Sequence, residues 1–275
     1  MIYSNQNSGI IKAPRSSLDT VYFDGYSTPM IILLLLIALA PCLFLLWYFY
    51  HRDKYEPEPK QKILKIFLLG AAAVIPVALV EYVLIIGVDA VSTGFVNIFL
   101  LSFIIIAPIE ELAKYLVVKQ WIYTSIEFDE IMDGIVYTVA ASLGFATVEN
   151  LFYVITHGIT VGIARAFLAV PGHAFFGAIM GYYIGLAKFH KEKETTYLTM
   201  GIVLAIAAHG LYDFLALTQT AWALLVFVVI AVLAIVVRTG LKRAELQSKA
   251  RCDEEKKDIE ASSKKTSESD NMPRA

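Results

Sequence analysis

Long, nearly uninterrupted apolar runs constrain this chain more than any other feature. Seven runs of spanning length can be read, at residues 29–50, 62–88, 95–121, 131–156, 161–187, 197–217 and 221–240. A helix needs about 20 consecutive apolar residues to cross the hydrocarbon core of a bilayer, so each run is long enough for one crossing. Hydrophobic residues make up 57% of the chain and charged residues 17%, a balance that a soluble domain of this length could not shield from water. The expected fold class is therefore all-α: a polytopic bundle of about seven transmembrane helices, multi-pass in a cell membrane. The short links at 157–160 and 218–220 imply tight antiparallel neighbours.

Three segments follow from this pattern. Residues 1–28 are polar and lack the arrangement of a cleaved signal peptide, and residues 29–241 form the membrane domain. Residues 242–275 are rich in Lys, Glu and Ser, and such a composition buries too little apolar area to offset its ordering entropy. The expectation there is a short helical extension followed by disorder.

Basic residues in the short loops set the orientation. Arg52, Lys54 and Lys60 fall in the first loop, Lys188, Lys191 and Lys193 in the fifth, and Lys242 and Arg243 open the tail. The third loop is a weaker marker, because Glu127, Asp129 and Glu130 outnumber Lys119. The pattern predicts an extracytoplasmic N-terminus and a cytoplasmic C-terminus. With a net charge of -2 and no basic face, nucleic acid is not an expected partner. The two cysteines, Cys42 and Cys252, offer neither a disulfide framework nor a metal-type spacing.

Against this apolar background, Glu110, Glu111 and Lys114 lie inside the third run. Each such charge near a helix centre costs roughly 2.5 to 3.5 kcal/mol on insertion scales, so the group calls for a functional reason. Lys114 stands four residues from Glu110 and three from Glu111, within reach of both from one helix face. The two carboxylates should titrate as a coupled unit, a plausible setting for a general base beside a general acid. Pro108 cannot donate to the carbonyl of Ile104, which loosens the helix just ahead of the acids.

The next three runs repeat the device. Tyr137, Ala141, Phe145 and Glu149 form one stripe, with Asn150 beside the acid; His173 shares a face with Gly177, Gly181 and Gly185; Gly201, Ala205, His209 and Asp213 form a third stripe. Because His173 lies on the glycine face, that face is expected to pack within the chain rather than between two copies. Asp213 is placed to fix the tautomer or hold the charge of His209. Any one of these groups could simply bond helices together. Four consecutive helices with polar groups at comparable depth favour one shared, hydrated site. His51 and His190 sit in basic loops and His157 at a helix end, while Glu81 and Arg165 lack a motif; all five read as solvated or interfacial.

At these positions the chain resembles the PrsW family of intramembrane proteases, relatives of the type II CAAX prenyl endopeptidases and the wider Abi superfamily. Glu110-Glu111-Leu-Ala-Lys114 matches the family's Glu-Glu-x-x-Lys, and Phe145 to Glu149 its Phe-x-x-x-Glu. His173 and His209 match its two histidine positions, the second within His-x-x-x-Asp ending at Asp213. The segment from Arg52 to Pro59 is also similar to the family's first loop. Prenyl endopeptidases usually carry Arg at the position of Lys114 and His at that of Glu149, so the PrsW likeness is the better one.

The resemblance implies regulated cleavage of a membrane-anchored regulator, such as an anti-sigma factor, on its extracytoplasmic side. The expected partners are thus a single-pass membrane protein substrate and the lipid bilayer. In the expected chemistry Glu110 or Glu111 activates water, with Glu110 preferred. Lys114 and the partner acid tune it, His173 or His209 stabilises the oxyanion, and Glu149 and Asp213 orient these groups. No cofactor is then needed. A zinc ion on His173, His209 and Glu149 is the alternative, and the absence of a His-Glu-x-x-His motif weighs against it. A reading from another class is a proton-coupled transporter or a receptor built on the same buried network.

Overall fold

A computed structural model describes residues 28–90 and 92–270. The polar segment expected over residues 1–28 lies outside them, apart from Thr28. The described chain is helical throughout its ordered elements: α1 (Thr28–Tyr50), α2 (Lys60–Asp89), α3 (Gly94–Phe99), α4 (Ala107–Trp121), α5 (Ile131–Phe167), α6 (Ala169–Phe189), α7 (Glu194–Leu217) and α8 (Leu225–Asp270). A π-helical segment, Leu100–Ile106, joins α3 to α4. Among the described residues six stretches are long and apolar enough to cross a membrane.

One of these six, Ile131–Phe189, is 59 residues long and contains both the fourth and the fifth run expected from sequence. It turns back on itself at Gly158, whose φ of 81° and ψ of -173° interrupt the helical path. A side chain at that φ would be strained, which is why glycine occupies the bend. The returning limb lies antiparallel to the outgoing one, with Gly181 against Gly134, Gly177 against Ser142 and Gly185 against Ile131. The glycine face of α6 therefore packs within the chain, as expected.

This hairpin is the centre of the molecule. Within its apolar window 94% of residues are buried, whereas the corresponding share in the other five stretches is 17% to 28%. The outer helices thus turn broad apolar faces outward, including Leu36, Phe44, Ile75, Tyr82 and Val232, as lipid-facing helices do. Close backbone approach recurs on α2, where Gly70 meets the carbonyl of Ala141 and Gly144 meets that of Phe67. Small residues permit these contacts because membrane helices associate through packing rather than through release of water.

At one end of the bundle the polar segments converge. Glu245 on α8 pairs with Arg52 at 2.6 Å and Lys54 at 3.1 Å, and Glu194 on α7 pairs with Lys119 at 3.1 Å. The charged part of α8 thus remains helical to Asp270, further than the short extension expected. Its Ala, Glu, Lys and Arg residues are strong helix formers, and the docking of Glu245 and the buried Ser248 supplies contacts that composition alone does not reveal. Burial and neighbouring acids push Asp53 in the first loop up to about 8, and burial pushes Glu58 up to about 7. The Tyr137 hydroxyl donates to Glu58 Oε2.

The glycine seam gives a direct packing test. A Cβ at Gly181 would lie 2.2 Å from the carbonyl oxygen of Gly134, whereas one at Gly87 would meet nothing within 4 Å. Gly181→Ala should destabilise the detergent-solubilised protein by roughly 1–3 kcal/mol or more, as overpacking does. Gly87→Ala should be neutral or stabilise by up to about 1 kcal/mol. Thermal unfolding of the two variants beside the parent measures the difference.

Candidate active site

The π-helical segment and Pro108 shape the first wall of the site. Pro108 leaves the carbonyl of Ile104 without its α-helical donor, and the Ala107 N–H bonds Ser102 O, five residues back. The wider turn ends where α4 begins, three residues before Glu110. Glu110, Glu111 and Lys114 then project from α4 into the bundle, at 4%, 0% and 0% exposure.

Lys114 is the hub. Its Nζ lies 2.7 Å from Glu111 Oε1, 3.0 Å from Glu110 Oε2 and 3.1 Å from His173 Nδ1. An ammonium has three protons, and here three acceptors surround it. His173 Nδ1 must then carry the lone pair, so the ring proton sits on Nε2, which faces Glu149 Oε2 at 2.9 Å. The ring of Phe145 lies under the ammonium, 4.5 Å from Nζ to its centroid. The stripe read along the fourth run thus supplies both Phe145 and Glu149.

His209 closes the other side. Its Nδ1 is 2.9 Å from Glu111 Oε1 and its Nε2 is 3.3 Å from Asp213 Oδ2, so the ring donates to both only as an imidazolium. The ring of Phe176 stacks on it with centroids 4.8 Å apart. All seven residues singled out from sequence therefore meet in one network: Glu110, Glu111, Lys114, Glu149, His173, His209 and Asp213.

Two residues set aside in the sequence reading belong with them. Arg165 is not interfacial. Its Nη2 lies 3.1 Å from Glu149 Oε2, its Nε donates to Asn150 Oδ1 at 3.2 Å, and its guanidinium covers the ring of Tyr153 at 3.9 Å. The bend at Gly158 returns the chain beside its own outgoing limb and brings Arg165 back to Glu149. Position 165 matches no motif, but an arginine within an apolar run was itself a signal. Glu81 on α2 is likewise within electrostatic reach of Glu110 and Glu149, and its Oε1 is buried without a hydrogen-bond partner among the described residues.

The candidate metal ligands change as well. One ligand atom from each of Glu110, Glu111, His173 and His209 lies within 4.8 Å of the others. Glu149 is outside this group, because its Oε2 is held between His173 and Arg165. Two imidazoles and two carboxylates suit zinc, and Glu111 Oε2, buried and without a hydrogen-bond partner among the described residues, is an oxygen an ion could engage. The residues thus fit a zinc ion, although the Lys114 ammonium shares the same centre and would have to withdraw from His173.

Buried acids, imidazoles and a lysine converging between helices of membrane-spanning length form a candidate hydrolytic site. Residues 58–238 match the PrsW family intramembrane metalloprotease family. The Protease PrsW of Geobacillus kaustophilus is 42% identical over 185 residues, covering 67% of this chain and 80% of that protein. Those of Oceanobacillus iheyensis and Bacillus subtilis are 40% and 39% identical, covering 75% and 67% of this chain and 94% and 83% of the respective proteins. No solved structure matches the chain significantly. The chain belongs to the PrsW family: it is a multi-pass membrane protein and a peptide hydrolase.

Arg165 generates a prediction of its own. Arg165→Met should lower the rate of peptide cleavage by roughly 10- to 100-fold, the usual scale for loss of an orienting partner around a site. Arg165→Lys should recover part of that rate by restoring the charge beside Glu149. Equal rates in all three proteins, measured at matched amounts in membranes, would remove Arg165 from the site.

Proposed function

We propose that this protein cuts a single-pass, membrane-anchored regulatory protein of the anti-sigma-factor kind by water attack, with Glu110 as the base. The observation that carries the assignment is the asymmetry between the two acids. Glu111 is wholly buried, and its Oε1 is held by both Lys114 and His209. Among the described residues Glu110 accepts from Lys114 alone, and it keeps the small exposure of the pair, 6% of its side chain against 0%. Glu110 is thus the freer carboxylate, and Glu111 the one that fixes the frame.

In this mechanism Glu110 takes a proton from water as the oxygen attacks the scissile carbonyl carbon. Lys114 stabilises the carboxylate before the transfer, and His209 stabilises the oxyanion that forms. The 3.3 Å approach of His209 Nε2 to Asp213 is the longest contact in the network and the easiest to exchange for a substrate oxygen. The Glu110 carboxyl then gives its proton to the amide nitrogen, the C–N bond breaks, and an acid and an amine leave. Glu149, anchored by Arg165, orients His173 throughout.

A second reading is favoured by the four clustered donors and by the family's description as a metalloprotease. Zinc held by Glu110, Glu111, His173 and His209 would supply Lewis-acid polarisation of water and of the carbonyl. In that reading Lys114 releases His173 and keeps its charge near the acids.

The topology proposed is an extracytoplasmic N-terminus and a cytoplasmic C-terminus. Arg52, Lys54 and Lys119 gather at the same end as the charged part of α8, consistent with the cytoplasmic side. Glu149 and His209 each lie eight or nine residues, about 13 Å of helix, from the opposite end of their helical limbs, at Gly158 and Leu217. These positions support cleavage toward the extracytoplasmic side.

Co-expression with tagged single-pass membrane proteins tests the base. Fragments should appear with the intact chain and fall by roughly 100-fold or more for Glu110→Gln, the scale of a lost general base. Undiminished cleavage by Glu110→Gln would sink the assignment. Metal analysis of the purified protein, with activity measured after stringent chelation, separates the two readings: full activity with no bound metal removes zinc.

A further inference from the structure

The charged end of the bundle holds a second group of buried acids that the proteolytic mechanism does not use. Asp53 comes from the first loop, Glu130 from the residue preceding α5 and Asp133 from its first turn, and they are 4%, 5% and 1% exposed. One oxygen from each lies within 4.8 Å of the others. Carboxylates removed from water and placed this close repel one another unless something positive joins them. Among the described residues no ion pair links a Lys or Arg to any of the three. Arg251, nearby on α8, is paired with Glu56 and Asp129, each at 3.4 Å.

The hydrogen bonds leave matching atoms free. Asp133 Oδ2 accepts from the amides of Asp129 at 2.8 Å and Glu130 at 2.7 Å, and Asp53 Oδ2 accepts from the amide of Glu58 at 3.3 Å. Among the described residues Asp133 Oδ1 and Asp53 Oδ1 are buried with no hydrogen-bond partner. Two side chains more than nine-tenths buried therefore each keep an oxygen that no amide or hydroxyl satisfies, beside the carboxyls of Glu130 and Glu58. The donors are oxygen throughout, with no imidazole or thiolate, which is the chemistry of a hard cation and unlike that of the catalytic cluster.

We propose that Asp53, Glu130 and Asp133 bind a hard divalent cation of the Mg2+, Ca2+ or Mn2+ class, at a site separate from the proteolytic centre. Such an ion ties the first loop and the third loop to the start of α5, where the charged part of α8 docks. Asp133 and Glu149 are 16 residues apart on α5, about 24 Å of helix, so the ion anchors the far end of the helix that carries Glu149. A ligand bound only by the folded state raises stability by mass action, so the cation should protect the fold.

The test uses the full chain in detergent, chelated and then titrated with Mn2+. Bound ion is counted from the paramagnetic resonance signal of free Mn2+, alongside thermal unfolding. The wild type should bind an equivalent of Mn2+ that Ca2+ or Mg2+ displaces, with a rise in the unfolding midpoint. Asp53→Asn and Glu130→Gln should each weaken that binding roughly tenfold or more, since charge and ligand count set affinity at such sites. The carboxamides lessen repulsion, so folding should survive, and size-exclusion profiles check it. His209→Ala should keep the displaceable equivalent, which distinguishes this site from the catalytic cluster. No displaceable Mn2+ in the wild type, or equal affinity in the wild type and both variants, overturns the proposal and leaves the acids sharing protons.

Discussion

The Lys114 ammonium is the contact on which the rest of the site depends. It is fully buried, and it reaches two carboxylates of its own helix and an imidazole from α6. Breaking a buried ion pair from one side costs about 3–5 kcal/mol because a charge is left uncompensated, and here a single side chain faces two. Through Glu111 the hub reaches His209 on α7, and through His173 it reaches Glu149 on α5. Four helical elements are held to one geometry by a few polar atoms in an apolar surround.

That geometry needs a scaffold that does not give. The bend at Gly158 and the glycine contacts between Gly134 and Gly181 let two helical limbs lie almost backbone to backbone. The same bend returns Arg165 to Glu149, so the packing of the central hairpin and the electrostatics of the site share one cause. The π-helical turn before Pro108 is a local departure of another kind: a missing donor widens the helix just where the acids begin. Regular structure yields at both places for a reason legible in side-chain chemistry.

Much of this was legible before the structure. Hydropathy marked the spans because a bilayer leaves the backbone little choice but helix, and the spacing of Glu110, Glu111 and Lys114 put them on one face. Small residues beside His173 and His209 pointed those rings inward, which the burial of both bears out. Arg165 was not legible, since its meaning comes from a reversal of the chain at Gly158 rather than from local spacing. The place of Glu149 outside the clustered donors depended on that same arginine. The continuation of α8 to Asp270 escaped the composition argument because its docking partners, Arg52 and Lys54, are remote in sequence.

The central claim is that one buried lysine makes the four-helix network a single proteolytic unit. The most direct measurement compares new protein termini in membranes of cells producing the wild type and Lys114→Met, at matched amounts of protein in the membrane. The account predicts truncated single-pass proteins with the wild type, cut toward the extracytoplasmic side, and their absence with Lys114→Met. The same termini at the same abundance in both would contradict it.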